Sequence, residues 1–250
     1  MVRLHRINLT KQQLDRIPEV ERRLFILIAH AGNELNALSK LFHFAASSAS
    51  EEGLSGQAEN AQALVLARTL AGKIYEFWQL LQTSFFGASL SKEYEPRFDV
   101  EAVTALTALK RYFGRDNLIA VVRNKFAFHY SPNQIDAGYK AVIDGDPLQI
   151  YLGKERANTL YAFADTISGR AMLEAIHPGD HRAAFEALID QTTAAVGNID
   201  TVIGALMIVC CQKYIGDSLY ALGADIVEIE GVPESQKVAI PYFIEIESKE

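Results

Sequence analysis

Apolar residues recur at helical spacing over most of the chain. From Val20 to Phe44 they are so dense, above all in LFILIAHA at 24–31, that a helix buried on most sides is expected. Pro18 followed by Glu19 and Glu21 gives its start, because the fixed proline φ suits a first turn and acids favour the helix N-terminus. Ser55 can cap a second long helix, carried by Leu64, Leu66, Leu70, Ile74, Trp78 and Leu81 to about Phe86, with Gly87 as its stop. That helix is the natural antiparallel partner of the first. Asp99 caps a helix ending at Phe113 and Gly114, and Asp116 caps one running from Asn117 to about Tyr130. Ser131-Pro132 with Gln134 has the form of a capping box with proline at the first helical position, so a fresh helix starts there.

After a turn at Asp144-Gly145-Asp146-Pro147 and a short extended piece, LQIYL at 148–152, Asn158 can cap a helix to Ile176. Asp180 opens a long helical region to about Tyr214. The pattern then changes: DIVEIEG at 225–231 and KVAIPYFIEI at 237–246 are rich in β-branched and aromatic residues and read as a hairpin. The expected fold is mainly α, an antiparallel helical bundle with a small C-terminal β-hairpin. The weakest seam is the DGDP turn. Residues 1–145 therefore read as a helical core, and 146–250 as a helical extension with the hairpin, packed on the same core.

Composition narrows the classes. With 250 residues, 49% of them hydrophobic and 22% charged, the chain can bury a large core. The longest apolar run, Val202 to Cys211, falls short of the roughly 20 residues that span a bilayer, and no apolar block follows the basic N-terminus. No membrane segment or signal peptide is expected. Cys210 and Cys211 are adjacent in an apolar helical stretch and read as small buried hydrophobes in a reducing, cytoplasmic setting. A net charge of −7 argues against a protein that coats nucleic acid through diffuse attraction. Locally the balance reverses: Lys110, Arg111, Arg115, Arg123 and Lys125 face only Asp116 between positions 110 and 125. That run is either a solvated helix face or a phosphate-facing patch.

Gly-rich phosphate loops, His-Glu-x-x-His, the nucleophile elbow and spaced cysteine pairs are all absent from the sequence, so neither a metal nor a cofactor is expected. His177 and His181 flank Pro-Gly-Asp at a helix junction and do not share a face as metal ligands would. His30, Asn33 and Glu34 fall within about one turn of the first helix and are expected to be carried toward the interior or a cleft. Two uses are open for them: an internal hydrogen-bond network, or the lining of a site.

Residues 123–130 read RNKFAFHY. An arginine, an asparagine directly after it and a histidine six positions on lie at the end of a short helix anchored by Leu118, Ile119, Val122 and Phe126. In that setting Arg123 to His129 resembles the signature of the HEPN family, all-α proteins in which an Arg, often followed by a polar residue, precedes a His by a short gap. The likeness extends to the element plan of roughly residues 18–143. It implies a metal-independent endoribonuclease, commonly a homodimer with the two motifs facing one cleft. It also implies a role as a toxin or in antiviral defence, held in check by an inhibitory protein partner or by a trigger. Arg123, Asn124 and His129 are then the catalytic candidates, His30, Asn33 and Glu34 candidates for lining the cleft, and Lys110, Arg111, Arg115 and Lys125 candidates for RNA binding. On an ideal helix Arg123 and His129 would stand about 120° apart around the axis and about 9 Å apart along it, a geometry better suited to half of a dimeric site than to a complete one. The rival reading is a non-catalytic helical module that binds a nucleotide, RNA or another protein.

Overall fold

The structure is a computed structural model, and it describes residues 1–48, 53–128, 131–146, 148–216 and 225–245. The chain is mainly α. Strand β1 (Val2–Arg6) is followed by helices α1 (Lys11–Asp15), α2 (Glu19–Ser48), α3 (Gly53–Leu81), α4 (Ser91–Tyr94), α5 (Val100–Phe113), α6 (Leu118–Val122), α7 (Pro132–Lys140), α8 (Ala162–Ile176) and α9 (His181–Tyr214), and then by strand β2 (Asp225–Ile229). Among the described residues two π-helical turns interrupt the α pattern, Gln82–Phe86 directly after α3 and Arg123–Ala127 directly after α6.

The chain forms two compact units, each assembled from separate stretches of sequence. The first comprises Met1–Asn36, Lys73–Arg115 and Ala194–Glu234. In it α2 buries one stripe, Glu21, Leu24, Phe25, Ile28 and Leu35, at the three- and four-residue spacing of a single helix face. The expectation that this helix is buried on most sides fails: Val20, Ile26 and Leu27 lie on its exposed side, with Ile26 at 52% exposure. Glu21 is the polar member of the stripe. Its carboxylate accepts hydrogen bonds from Tyr94, Tyr214 and Lys213, and Lys213 also pairs with Glu93 at 2.6 Å. Burial alone would push the Glu21 carboxyl up, but those bonds outweigh it and hold the group below its ordinary value. Beside it, burial raises the Cys210 thiol to about 11, so both cysteines are buried, free thiols and poor nucleophiles. Aromatic rings fill the rest, with Trp78 stacked on Phe113 at 4.9 Å.

The same unit holds the sheet. DIVEI forms a strand as expected, but its partner is β1, antiparallel from Val2↔Ile229 to Arg6↔Asp225, and not residues 237–246. Ion pairs Arg3–Glu228 at 2.7 Å and Arg6–Asp225 at 3.0 Å match that register. The segment expected to complete a hairpin begins with a 3₁₀ turn, Ser235–Lys237, and is otherwise irregular to Glu245; residue 246 lies outside the described residues. Two features hold it elsewhere. Tyr242 and Phe243 pack on Ala58, Leu160 and Ala162, and Asn158 clasps the Ile244 backbone through both its N–H (2.9 Å) and its carbonyl (2.7 Å).

The second unit, which includes those contacts, comprises Ala37–Gly72, Asp116–Thr193 and Ser235–Glu250. Because Asn158 is committed to Ile244, it does not cap the next helix. Asn158 ends a short 3₁₀ turn, Arg156–Asn158; Thr159 is extended, Leu160 bridges to Tyr151, and α8 begins only at Ala162. Gly138 of α7 allows that helix to press on α8: a Cβ there would lie 2.3 Å from the Ile167 carbonyl oxygen. Arg170 of α8 completes the contact, donating to the Ala141 carbonyl at 2.9 Å and to Asp146 at 2.5 Å. Asp146 in turn accepts from the Ile143 N–H, so it fixes the turn that the DGDP sequence predicts; Pro147 lies outside the described residues. Helix α9 is long and apolar enough to cross a membrane by length and composition, and it buries Ala184, Leu188, Ile199, Val202 and Leu206.

Candidate functional site

The segment bearing RNKFAF is positioned from both ends. Asn117, not Asp116, caps α6: its backbone is extended and its side chain accepts from the Ala120 N–H at 2.8 Å. Ile119, Val122 and Phe126 are buried and anchor the short helix along one face. From Arg123 the winding widens into a π turn, a feature that often marks functional positions, and Phe128 ends it at φ −128° and ψ 9°. The ideal α-helical projection therefore does not describe the path from Arg123 onward. His129 and Tyr130 lie outside the described residues. Ser131 then occupies the N-cap of α7 with Pro132 at the first helical position, as expected. The full capping box does not form: the Ser131 side chain makes no cap bond, and its backbone carbonyl receives the Gln134 N–H at 3.1 Å.

Arg123 and Asn124 are brought together. The half-buried guanidinium donates through Nη1 to the Asn124 Oδ1 at 3.0 Å, so the arginine is held by its exposed neighbour at the start of the turn. Lys125 is exposed, Phe126 points to the core, and Phe128 is 49% exposed with one ring edge set against Gly72 of α3. No side chain could replace that glycine unchanged, because a Cβ would lie 2.5 Å from the Phe128 Cε2.

Residues 125–128 form one wall of a cavity of about 320 Å³. Arg68 of α3, Ser131 and Gln134 from the start of α7, and Asp165 and Ser168 of α8 supply its polar groups. Burial pushes the Asp165 carboxyl up from its ordinary value, against the electrostatic pull of Arg68. The cavity thus carries two cations, one half-buried carboxylate and an exposed aromatic ring within one small space. Sequence reasoning missed Arg68, Gln134, Asp165 and Ser168. A signal for them existed: Arg68 stands four residues before Gly72 on α3, and Asp165 and Ser168 stand three apart on α8, spacings that put polar groups on one helix face.

The remaining candidates are distributed differently. His30 and Asn33 are exposed on α2 and are not carried inward, because the apolar stripe that packs lies on the other side of that helix. Glu34 is half-exposed and pairs with Lys73 at 2.8 Å, which holds its carboxyl below the ordinary value, with His30 adding to the effect. His30, Asn33 and Glu34 belong to the first unit, and Arg123 and Asn124 to the second. The basic candidates divide in the same way. Lys125 lines the cavity, whereas Lys110, Arg111 and Arg115 are exposed residues of the first unit. Lys110 is engaged by both oxygens of Glu95, at 2.8 and 2.9 Å, and lies over the Phe86 ring. Among the described residues no group of three or more His, Cys, Asp and Glu side chains is placed to hold a metal ion.

Compared with family models, with curated proteins and with solved structures, the chain matches none.

Proposed function

We propose that the chain is a metal-independent endoribonuclease of the HEPN kind, working as a homodimer in a toxin or antiviral-defence role under the control of an inhibitory protein partner. The observation that supports this reading is the Arg123–Asn124 pair on a π turn that leads into the wall of a polar, ligand-sized cavity. Arg123 offers forked donors to a phosphate, and Asn124 presets their direction. His129, from its place in the sequence, supplies proton transfer near neutral pH. The reaction removes the proton from a ribose 2′-hydroxyl, forms the O2′–P bond and breaks the P–O5′ bond. The leaving 5′-oxygen takes up a proton, and the products are a 2′,3′-cyclic phosphate and a 5′-hydroxyl. Positive charge at Arg123 stabilises the phosphorane-like transition state.

The acidic overall charge fits RNA binding confined to a small site. The second reading, a non-catalytic module that holds a nucleotide or RNA, draws on the cavity alone. The two separate on incubation of the purified protein with mixed RNA in excess EDTA. Cleavage leaving cyclic phosphate ends is the expected result, and intact RNA bound without cleavage is the outcome of the binding module.

A further inference from the structure

We propose that the cavity beside the Arg123 turn receives one guanine base and that Asp165 selects it. The proposal rests on the reading of this region as a site that acts on RNA, and it names the base that the site admits.

The cavity, at about 320 Å³, lies at the lower end of the range for small-ligand sites, the size of a single nucleoside rather than a folded RNA element. Phe128 supplies the stacking surface. Its ring lines the cavity, is half exposed, and is held in place by its seat on Gly72. Unpaired bases are commonly held on such rings while their Watson–Crick edges are read by polar side chains.

Among the described residues that line the cavity, Asp165 is the one acid. An ionised carboxylate only accepts, and it can accept twice, side by side. Guanine alone among the four RNA bases offers two adjacent donors, N1–H and the N2 amine, on that edge. Adenine and cytosine each set a ring-nitrogen acceptor next to their amine, and uracil flanks a single N–H with two carbonyl acceptors. Each of the three would therefore bring at least one acceptor against the carboxylate. Asp165 lines the cavity, its carboxylate drawn by the charge of Arg68, and its oxygens can accept from a donor that enters. Ser168 and Gln134 carry the donors that guanine O6 requires, and Arg68 and Lys125 supply charge for the attached phosphate.

The test is titration of the full-length protein with 5′-GMP, 5′-AMP and inosine 5′-monophosphate, followed by calorimetry or by protein NMR shifts. The wild type should prefer GMP over AMP, with the inosine nucleotide, which lacks the N2 amine, in between. Asp165→Asn should weaken GMP binding by about 5- to 150-fold, the discrimination carried by one bidentate base contact, and strengthen AMP binding, because the amide sets a donor against the adenine ring nitrogen that the carboxylate repels. Phe128→Ala should weaken all three together and keep their order. Equal affinity of the wild type for GMP and AMP overturns the proposal, as does the absence of saturable GMP binding. Unchanged GMP affinity in Asp165→Asn does the same, and if that variant fails to fold the wild-type order of the three nucleotides decides. Cleavage is measured separately. A protein that prefers GMP but cuts no RNA counts against the nuclease reading alone, and one that cuts RNA without preferring GMP counts against this proposal alone.

Discussion

At Gly72 the absence of a side chain does more than relax the backbone. The Phe128 ring occupies the space that a Cβ would take, with Cε2 at 2.5 Å and Cζ at 2.6 Å from its ideal position, and the Ala127 Cβ lies 3.2 Å away. Gly72→Ala must therefore push the ring off its seat. The expected cost is about 1 kcal/mol of stability, the low end of an overpacking penalty, because the clashing atoms are the outer edge of a half-exposed ring. In a Phe128→Ala background the clash is gone, and the same substitution should be neutral or stabilising by up to about 1 kcal/mol, since alanine favours a helix interior over glycine. Urea unfolding of the four proteins in this cycle checks it; an equal cost in both backgrounds would contradict the contact. At the same scale the sequence was informative about Arg123 and Asn124 as neighbours. Their hydrogen bond could not be read from it, because adjacent side chains on a regular helix do not face one another.

Among the elements, the helix carrying the motif was legible in its start, anchor and approximate end, and illegible in its winding. No residue type encodes a π turn. Between Arg123 and Ala127 there is neither Gly nor Pro to mark a departure, and Ile119, Val122 and Phe126 satisfy an ordinary helical spacing. The cap was ambiguous for a simpler reason: Asp116 and Asn117 are both good caps and stand side by side, so only the backbone decides between them. Since Asn117 makes the bond, Asn117→Ala should cost about 0.5–2 kcal/mol in thermal or urea unfolding, whereas Asp116→Ala should be close to neutral. The reverse order would place the cap one residue earlier. The C-terminal strand illustrates the opposite failure. Its β character was plain at 225–229, but pairing with β1, more than two hundred positions away in the chain, is a tertiary choice that local pattern does not carry.

Over the whole molecule, what was hardest to foresee is what joins distant sequence. Glu21 reads as a first-turn acid suited to a helix N-terminus, yet it is 8% exposed and bonded to Tyr94, Lys213 and Tyr214. Removing it takes the acceptor from the buried Tyr94 hydroxyl and leaves Lys213 paired with Glu93 alone, so Glu21→Ala should cost about 1.5–3 kcal/mol in urea at neutral pH. Because the native carboxyl is held below its ordinary value, its contribution is present above the usual glutamate pKa of about 4.3 and is lost as pH falls through the lower native value. The gap between wild type and Glu21→Ala should therefore narrow on acidification below that range. A gap that is constant to low pH would mean that the network adds nothing through its charge.

Chemistry at the Arg123 turn is tested most directly by the rate of RNA cleavage in excess EDTA by the wild type, Arg123→Ala and His129→Ala, each shown to be folded. Metal-independent cutting by the wild type is expected, with a loss on the order of 10²- to 10⁴-fold in the His129 variant, the usual weight of general acid–base catalysis. A comparable loss is expected without the Arg123 charge. Undiminished cutting by either variant would contradict that chemistry.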